Sequence, residues 1–188
     1  MIRVVHRVNS TELLQDTPKE FGVEIDIRSK GSELILRHDV GDQGCKLDEY
    51  LNFFNHRLII FNVKEDGLEE AILTTASGLP NLDYFFLDQP FPSLVRTSAL
   101  GYSTAIRVSE FEALPAMPLQ CKWIWLDSFT GSWSHISLAI KYAKENNLRT
   151  CMVAPELQGR QDKAENIFLA KNYSNQVDAI CTKVPSSW

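Results

Sequence analysis

The chain has 188 residues, of which 44% are hydrophobic and 23% charged, enough apolar material for a full core and too much for a disordered or low-complexity segment. Its 19 basic and 24 acidic side chains leave a net charge of −5, which argues against a broad nucleic-acid or anionic-membrane surface. The four cysteines, Cys45, Cys121, Cys151 and Cys181, lie thirty or more residues apart with no CxxC spacing; this excludes a local zinc motif and predicts reduced thiols, Cys151 and Cys181 serving as small core hydrophobes.

The chain enters a strand-like run at residues 3–8, without the apolar stretch of a signal peptide. No window approaches the roughly 20 apolar residues of a membrane span. The expectation is one cytoplasmic domain over residues 1–188 with no stable membrane anchor. Further strand-like segments follow at 22–28 (with 33–37 returning after the Lys30-Gly31 turn), 58–64, 83–88, 104–108, 122–127, 149–154 and 177–182. Between them, Leu47, Tyr50, Leu51 and Phe54, and later Ile136, Ile140 and Ala143, fall at helical spacing. The stretch 111–119 carries Pro115 and Pro118 and is too short for a long helix. Eight strands alternating with helices predict an α/β protein, a compact (β/α)8 TIM barrel below the usual size of about 250 residues, with some helices short or missing. The competing open doubly wound sheet calls for a glycine-rich turn after its first strand, where this chain has His6-Arg7-Val8-Asn9-Ser10.

Strand alternation then sorts the side chains. Val23, Ile25 and Ile27 face the helices, which turns Glu24, Asp26 and Arg28 inward. In the third strand Ile59, Phe61 and Val63 face out, with Ile60, Asn62 and Lys64 inward. Asp88 falls in line with Tyr84 and Phe86, and Asp127 in line with Trp123 and Trp125, which read as core. Each polar residue sits at the C-terminal end of its strand, where barrel active sites are built. Carboxylates two apart on a strand grip one hard cation through oxygen; the alternative is mutual neutralisation of Glu24 and Asp26 by Arg28 and Lys64. His56 and His135 read as surface residues, and Glu156 and Arg160 as a solvated pair.

His6-Arg7 after the first strand, Glu24-Ile-Asp26 on the second, His38-Asp39 twelve residues beyond, and Asn62-Val-Lys64 on the third resemble the glycerophosphodiester phosphodiesterase family and its relatives, the phosphatidylinositol-type phospholipases C and spider sphingomyelinases D. The C-terminal Val177-Asp-Ala-Ile-Cys-Thr-Lys-Val-Pro185 is similar to that family's last strand. The resemblance implies a TIM barrel that cleaves a small glycerol-, inositol- or sugar-type phosphodiester, with His6 and His38 as acid and base. It implies that Glu24, Asp26 and Asn62 hold Mg²⁺ or Ca²⁺, that Lys64 neutralises phosphoryl charge, and that Arg7, Arg28 and Asp127 contact substrate. Hydrolysis and cyclisation are both open. The chain departs from the family at Asn62, where a carboxylate is usual; Asn brings no charge, so cation affinity should fall unless Asp88, Asp127 or Glu156 compensates. It departs again at residues 39–46, far shorter than the family's insertion over the glycerol end of the substrate, and at Val8, where glycine is common. Two other functions fit the pattern: a barrel that has lost hydrolysis and binds a phospho-ligand, and a lyase or aldolase using Lys64 or Lys183 as a Schiff-base amine.

Overall fold

The computed structural model describes residues 1–116, 119–160 and 163–188. Pro118 lies outside the described residues. In chain order the elements are β1 (Ile2–Val5), α1 (Thr11–Asp16), β2 (Gly22–Lys30), β3 (Glu33–Leu36), β4 (Cys45–Lys46), α2 (Leu47–Leu51), β5 (Ile59–Val63), α3 (Glu69–Thr75), β6 (Tyr84–Leu87), α4 (Phe91–Ala99), β7 (Ala105–Val108), β8 (Trp123–Leu126), α5 (Ile136–Glu145), β9 (Arg149–Val153), α6 (Lys163–Tyr173) and β10 (Ala179–Thr182). The strands are rich in Ile, Val, Phe and Trp, side chains that pack well on a pleated surface buried on both faces.

Parallel ladders join β6 to β5, β5 to β2, β2 to β1, β1 to β10, β10 to β9, β9 to β8 and β8 to β7. The remaining junction, β6 to β7, is made by the single bridge Phe86↔Thr104 and a hydrogen bond from Phe86 N–H to the Ser103 carbonyl. The sheet is thus a TIM-type barrel split along one seam. β3 returns antiparallel on β2 through a turn at Gly31, whose φ of 61° suits glycine, and β4 pairs with β3. Helices are reduced as expected: α1 has 6 residues, α2 has 5, and among the described residues none lies between β7 and β8.

Two layers follow from alternation. Outward-facing Val23, Ile25, Ile27, Ile59 and Phe61 pack with Leu47, Tyr50 and Leu51 of α2, while Ile136, Ala139, Ile140 and Ala143 of α5 cover Ile124 and Met152. Inside the barrel lie Val4, Ile60, Phe85, Trp123, Trp125, Cys151 and Cys181; burial pushes both thiols upward in pKa, as expected of inert core cysteines. Near the start of the strands, Arg149 stacks 3.9 Å from the Trp123 ring and places Nη1 2.8 Å from both oxygens of Asp83.

Three readings of the sequence need correction here. β1 stops at Val5, and Arg7 adopts a left-handed backbone with φ 57°. β6 turns Phe85 and Leu87 inward, with Phe86 and Tyr84 against the helix layer. Asp88 reaches the barrel mouth only because its own φ of 61° turns the chain past the strand end. His56 is buried, its Nε2–H donating to the Thr17 carbonyl at 3.0 Å.

Candidate active site

A cavity of about 290 Å³ opens at the C-terminal end of the strands, lined by His6, Arg7, Glu24, His38, Asn62 and Lys64 from one side and by Asp88, Arg107, Asp127, Phe129 and Gln158 from the other. Register explains the grouping. The pairs Glu24↔Ile60 and Asp26↔Asn62 place two acids and an amide on adjacent strands near their ends, and His6 and Lys64 continue β1 and β5 by donating their N–H groups to the Thr182 and Ile27 carbonyls.

Glu24 lies at the bottom of this cavity, wholly buried. Its Oε2 accepts the Arg7 N–H at 2.7 Å and its Oε1 accepts Asn62 Nδ2 at 2.9 Å. The left-handed turn at Arg7, costing about 1–3 kcal/mol in a residue with a Cβ, aims that N–H at the carboxylate. Burial, reinforced by the neighbouring Asp26, pushes the Glu24 pKa upward. Asn9 clasps Asp26 with two hydrogen bonds: Asn9 Nδ2 donates to Oδ2 at 2.8 Å, and Asn9 Oδ1 accepts the Asp26 backbone N–H at 2.9 Å. Lys64 Nζ stands 3.2 Å from Asp26 Oδ1 and Arg7 Nε 3.8 Å from Oδ2. Even so, Asp26 Oδ1, Asn62 Oδ1 and His6 Nδ1 are buried without a hydrogen bond, unusual for buried polar atoms.

The two imidazoles differ. His6 is mostly buried, with Nε2 3.9 Å from Glu24 Oε2; burial, then the charge of Arg7, lowers its pKa to about 4. His38 is more exposed and sets Nδ1 2.8 Å from Asp39 Oδ1, a carboxylate that orients the ring and leaves Nε2 free. The hydrogen bond from His38 in turn lowers the Asp39 pKa.

On the opposite side the charges are saturated. Arg107 pairs with Asp88 and, at 3.2 Å, with Asp127. Asp127 also accepts Gln158 Nε2 at 3.0 and 3.1 Å and the Ser128 N–H at 2.8 Å. Arg107 is the site residue that strand alternation offered and that went unread, since Ala105 and Arg107 share the inner face of β7.

Arg28 does not reach the cavity. Its Nε donates to the His38 carbonyl at 3.0 Å and its Nη1 to Glu65 at 3.4 Å, so it ties down the His38 loop. Asp26 therefore finds its cation in Lys64, not Arg28. Glu156 and Arg160 do not pair with each other: Glu156 accepts from Thr182 Oγ1 and the Lys183 N–H, and Arg160 binds Glu165 and the Ser128 carbonyl. His135 donates from Nε2 to the Asp127 carbonyl at 2.9 Å.

Among the described residues no three His, Cys, Asp or Glu side chains form a metal cluster. The third corner beside Glu24 and Asp26 is the Asn62 amide. The donor chemistry nonetheless fits a hard divalent cation: two carboxylates, an amide oxygen, and two of those oxygens buried without a hydrogen bond.

No protein-family model matches the sequence, and no curated protein matches it. Solved structures do match over the whole chain. A glycerophosphodiester phosphodiesterase from Agrobacterium tumefaciens str. C58 superposes with TM-score 0.68 at 14% identity, covering 100% of this chain and 97% of its own. One from Parabacteroides distasonis ATCC 8503 gives 0.64 at 14% identity, covering 98% and 94%. A protein provisionally assigned the same activity from Galdieria sulphuraria gives 0.64 at 16% identity, covering 100% and 96%. The chain has the fold of the glycerophosphodiester phosphodiesterases, the family its strand-end motifs resemble.

Proposed function

We propose that this chain is a phosphoric diester hydrolase that cleaves a small glycerol-, inositol- or sugar-type phosphodiester with the aid of Mg²⁺ or Ca²⁺. The observation that carries the reading is the meeting of His6, His38, Arg7, Lys64, Glu24 and Asn62 around one cavity at the barrel mouth, on the fold that the glycerophosphodiester phosphodiesterases share.

A phosphodiester is an anion and repels nucleophiles, so its cleavage needs positive charge on the non-bridging oxygens and proton transfer at the two ester positions. Lys64, braced by Asp26 and by Asp88 at 3.8 Å, supplies fixed charge, and the Arg7 guanidinium supplies a second contact. His6, kept neutral near pH 7 by burial, accepts the proton of the incoming oxygen. His38, oriented by Asp39, donates to the leaving oxygen. Glu24, Asp26 and Asn62 would hold the divalent cation, which supplies Lewis-acid stabilisation of phosphoryl charge when bound.

A second reading, a barrel that binds a phospho-ligand without cleaving it, draws on Asn62, whose amide donates to Glu24 where a charged ligand would strengthen a cation site. The Schiff-base alternative has less support: Lys64 stands between two carboxylates as an electrostatic group. A panel of phosphodiesters assayed with Mg²⁺, Ca²⁺ and Mn²⁺ and with chelator separates these readings. Cation-dependent cleavage of at least one member is expected; no cleavage of any member with any cation overturns the hydrolase and leaves the binding module.

A further inference from the structure

The split seam of the barrel opens a second chamber beside the candidate site. β6 and β7 share one bridge, Asp88 turns the chain away towards α4 immediately after β6, and among the described residues no helix follows β7 to cover the gap. The resulting cavity of about 470 Å³ lies between the segments 87–94 and 105–113. Its walls combine Phe91, Leu94, Ile106 and Ala113 with the polar Gln89 and Glu112, and Phe91 is 59% exposed. Leu87, Asp88 and Arg107 line both this chamber and the mouth cavity, so the two adjoin along a shared edge that includes the Asp88–Arg107 ion pair.

We propose that this side chamber receives the second alcohol of the phosphodiester, and that this alcohol carries an apolar chain or ring of about six carbons or more. The inference rests on the phosphodiesterase reading and adds to it the substrate class. A diester has two arms. The mouth cavity, lined on both sides by charged and polar groups, suits the phosphoryl group and one polar alcohol, and the adjoining space is larger and more apolar, setting Phe91, Leu94, Ile106 and Ala113 beside the polar Gln89 and Glu112. Left to water, that space would hold on the order of fifteen molecules at about 30 Å³ each, part of them against apolar surface. Each methylene that replaces them gains about fourfold in affinity when fully buried. The Asp88–Arg107 pair at the junction sorts the two arms, its charged face toward the phosphate and its flank along the chain of the alcohol.

The test is calorimetric titration of inorganic phosphate, glycerol 3-phosphate and hexyl phosphate into the protein with Mg²⁺ present, with cleavage of hexyl and glyceryl phosphodiesters followed in parallel. Hexyl phosphate should bind at least tenfold more tightly than the other two, and Ala113→Trp, which fills the chamber from its exposed rim, should remove that gain while inorganic phosphate binds as before. Phe91→Ala should weaken hexyl phosphate by about threefold to tenfold. Equal affinity for the three ligands, or a hexyl preference that survives both substitutions, overturns the proposal. A hexyl preference without any cleavage overturns the hydrolase reading and leaves the chamber standing. Cleavage without a hexyl preference overturns the chamber alone, and failure of all three ligands to bind overturns both.

Discussion

The two sides of the barrel mouth carry similar residues and treat them differently. On the β1, β2 and β5 side, Glu24 is buried with two neutral donors and a raised pKa, and Asp26, Asn62 and His6 each keep a buried polar atom without a hydrogen bond. On the β7 and β8 side, Asp88 and Asp127 are held by Arg107, with Gln158 and Ser128 completing Asp127. Both sides are costly to build, because charge leaves water in each. The difference is that the first side, although Lys64 and Arg7 stand beside Asp26, keeps buried polar atoms without a hydrogen bond, while on the second the Asp127 carboxylate is fully engaged by Arg107, Gln158 and Ser128. The proposed function accordingly draws its chemistry from the first side.

The largest effect should come from the imidazoles. His6→Ala and His38→Ala should each lower phosphodiester turnover by about 10²–10⁴-fold, the usual contribution of a positioned acid or base, with thermal midpoints near that of the parent; turnover within threefold of the parent in either variant removes that residue from the chemistry. Next, Glu24→Gln should abolish the response to Mg²⁺ or Ca²⁺ and yet raise the metal-free thermal midpoint at pH 8 by a few degrees. A neutral amide there removes the cost of a buried charge, and each kcal/mol moves the midpoint by roughly 2–4 °C at this chain length. A lowered midpoint would mean that the carboxylate is fully compensated after all. Arg107→Met should do the reverse, costing about 1–3 kcal/mol by leaving the buried Asp127 without a cation and Asp88 with Lys64 alone, with a smaller loss of turnover than either histidine variant. Urea denaturation alongside kinetics checks both halves of that expectation.

The smallest effect is in the pH profile of stability without metal. Between about 4 and 6.5 the folded chain binds fewer protons at His6 than the unfolded chain does, so this group makes stability rise with pH across that window. Glu24 has the opposite sign: its folded pKa lies above the ordinary 4.5, so its contribution falls as pH rises beyond that value. Relative to the parent, Glu24→Gln should therefore show a steeper rise in thermal midpoint with pH, and His6→Ala a shallower one or a fall. Parallel profiles for all three proteins would refute the assigned shifts.

Much of this arrangement was legible in the sequence, for a physical reason. Where a strand alternates strongly apolar with polar residues, as in Val23-Glu24-Ile25-Asp26 and Ile59-Ile60-Phe61-Asn62, period two fixes which side chains meet inside the barrel. The same rule failed on Tyr84-Phe85-Phe86-Leu87, where every side chain is apolar and nothing in the pattern reveals the phase. It set Asp88 in line with Tyr84 and Phe86, whereas Asp88 reaches the mouth through a left-handed residue that resets the direction of the chain. Arg107 was within reach of the alternation argument through Ala105. The diversion of Arg28 to Glu65 and the His38 carbonyl, and the clasp of Asn9 on Asp26, depend on loops folding back across the mouth, which no local pattern encodes.

The most direct measurement is a calorimetric titration of Mg²⁺ and of Ca²⁺ into chelator-stripped protein, parent and Glu24→Gln, in two buffers of different protonation enthalpy. One cation should bind the parent with stoichiometry near one and release protons, because Glu24 must ionise to take it, and the variant should show no binding. Absence of binding to the parent at millimolar cation, or identical binding by parent and variant, would contradict the assignment of the Glu24 carboxylate and the unbonded Asp26 and Asn62 oxygens to a metal.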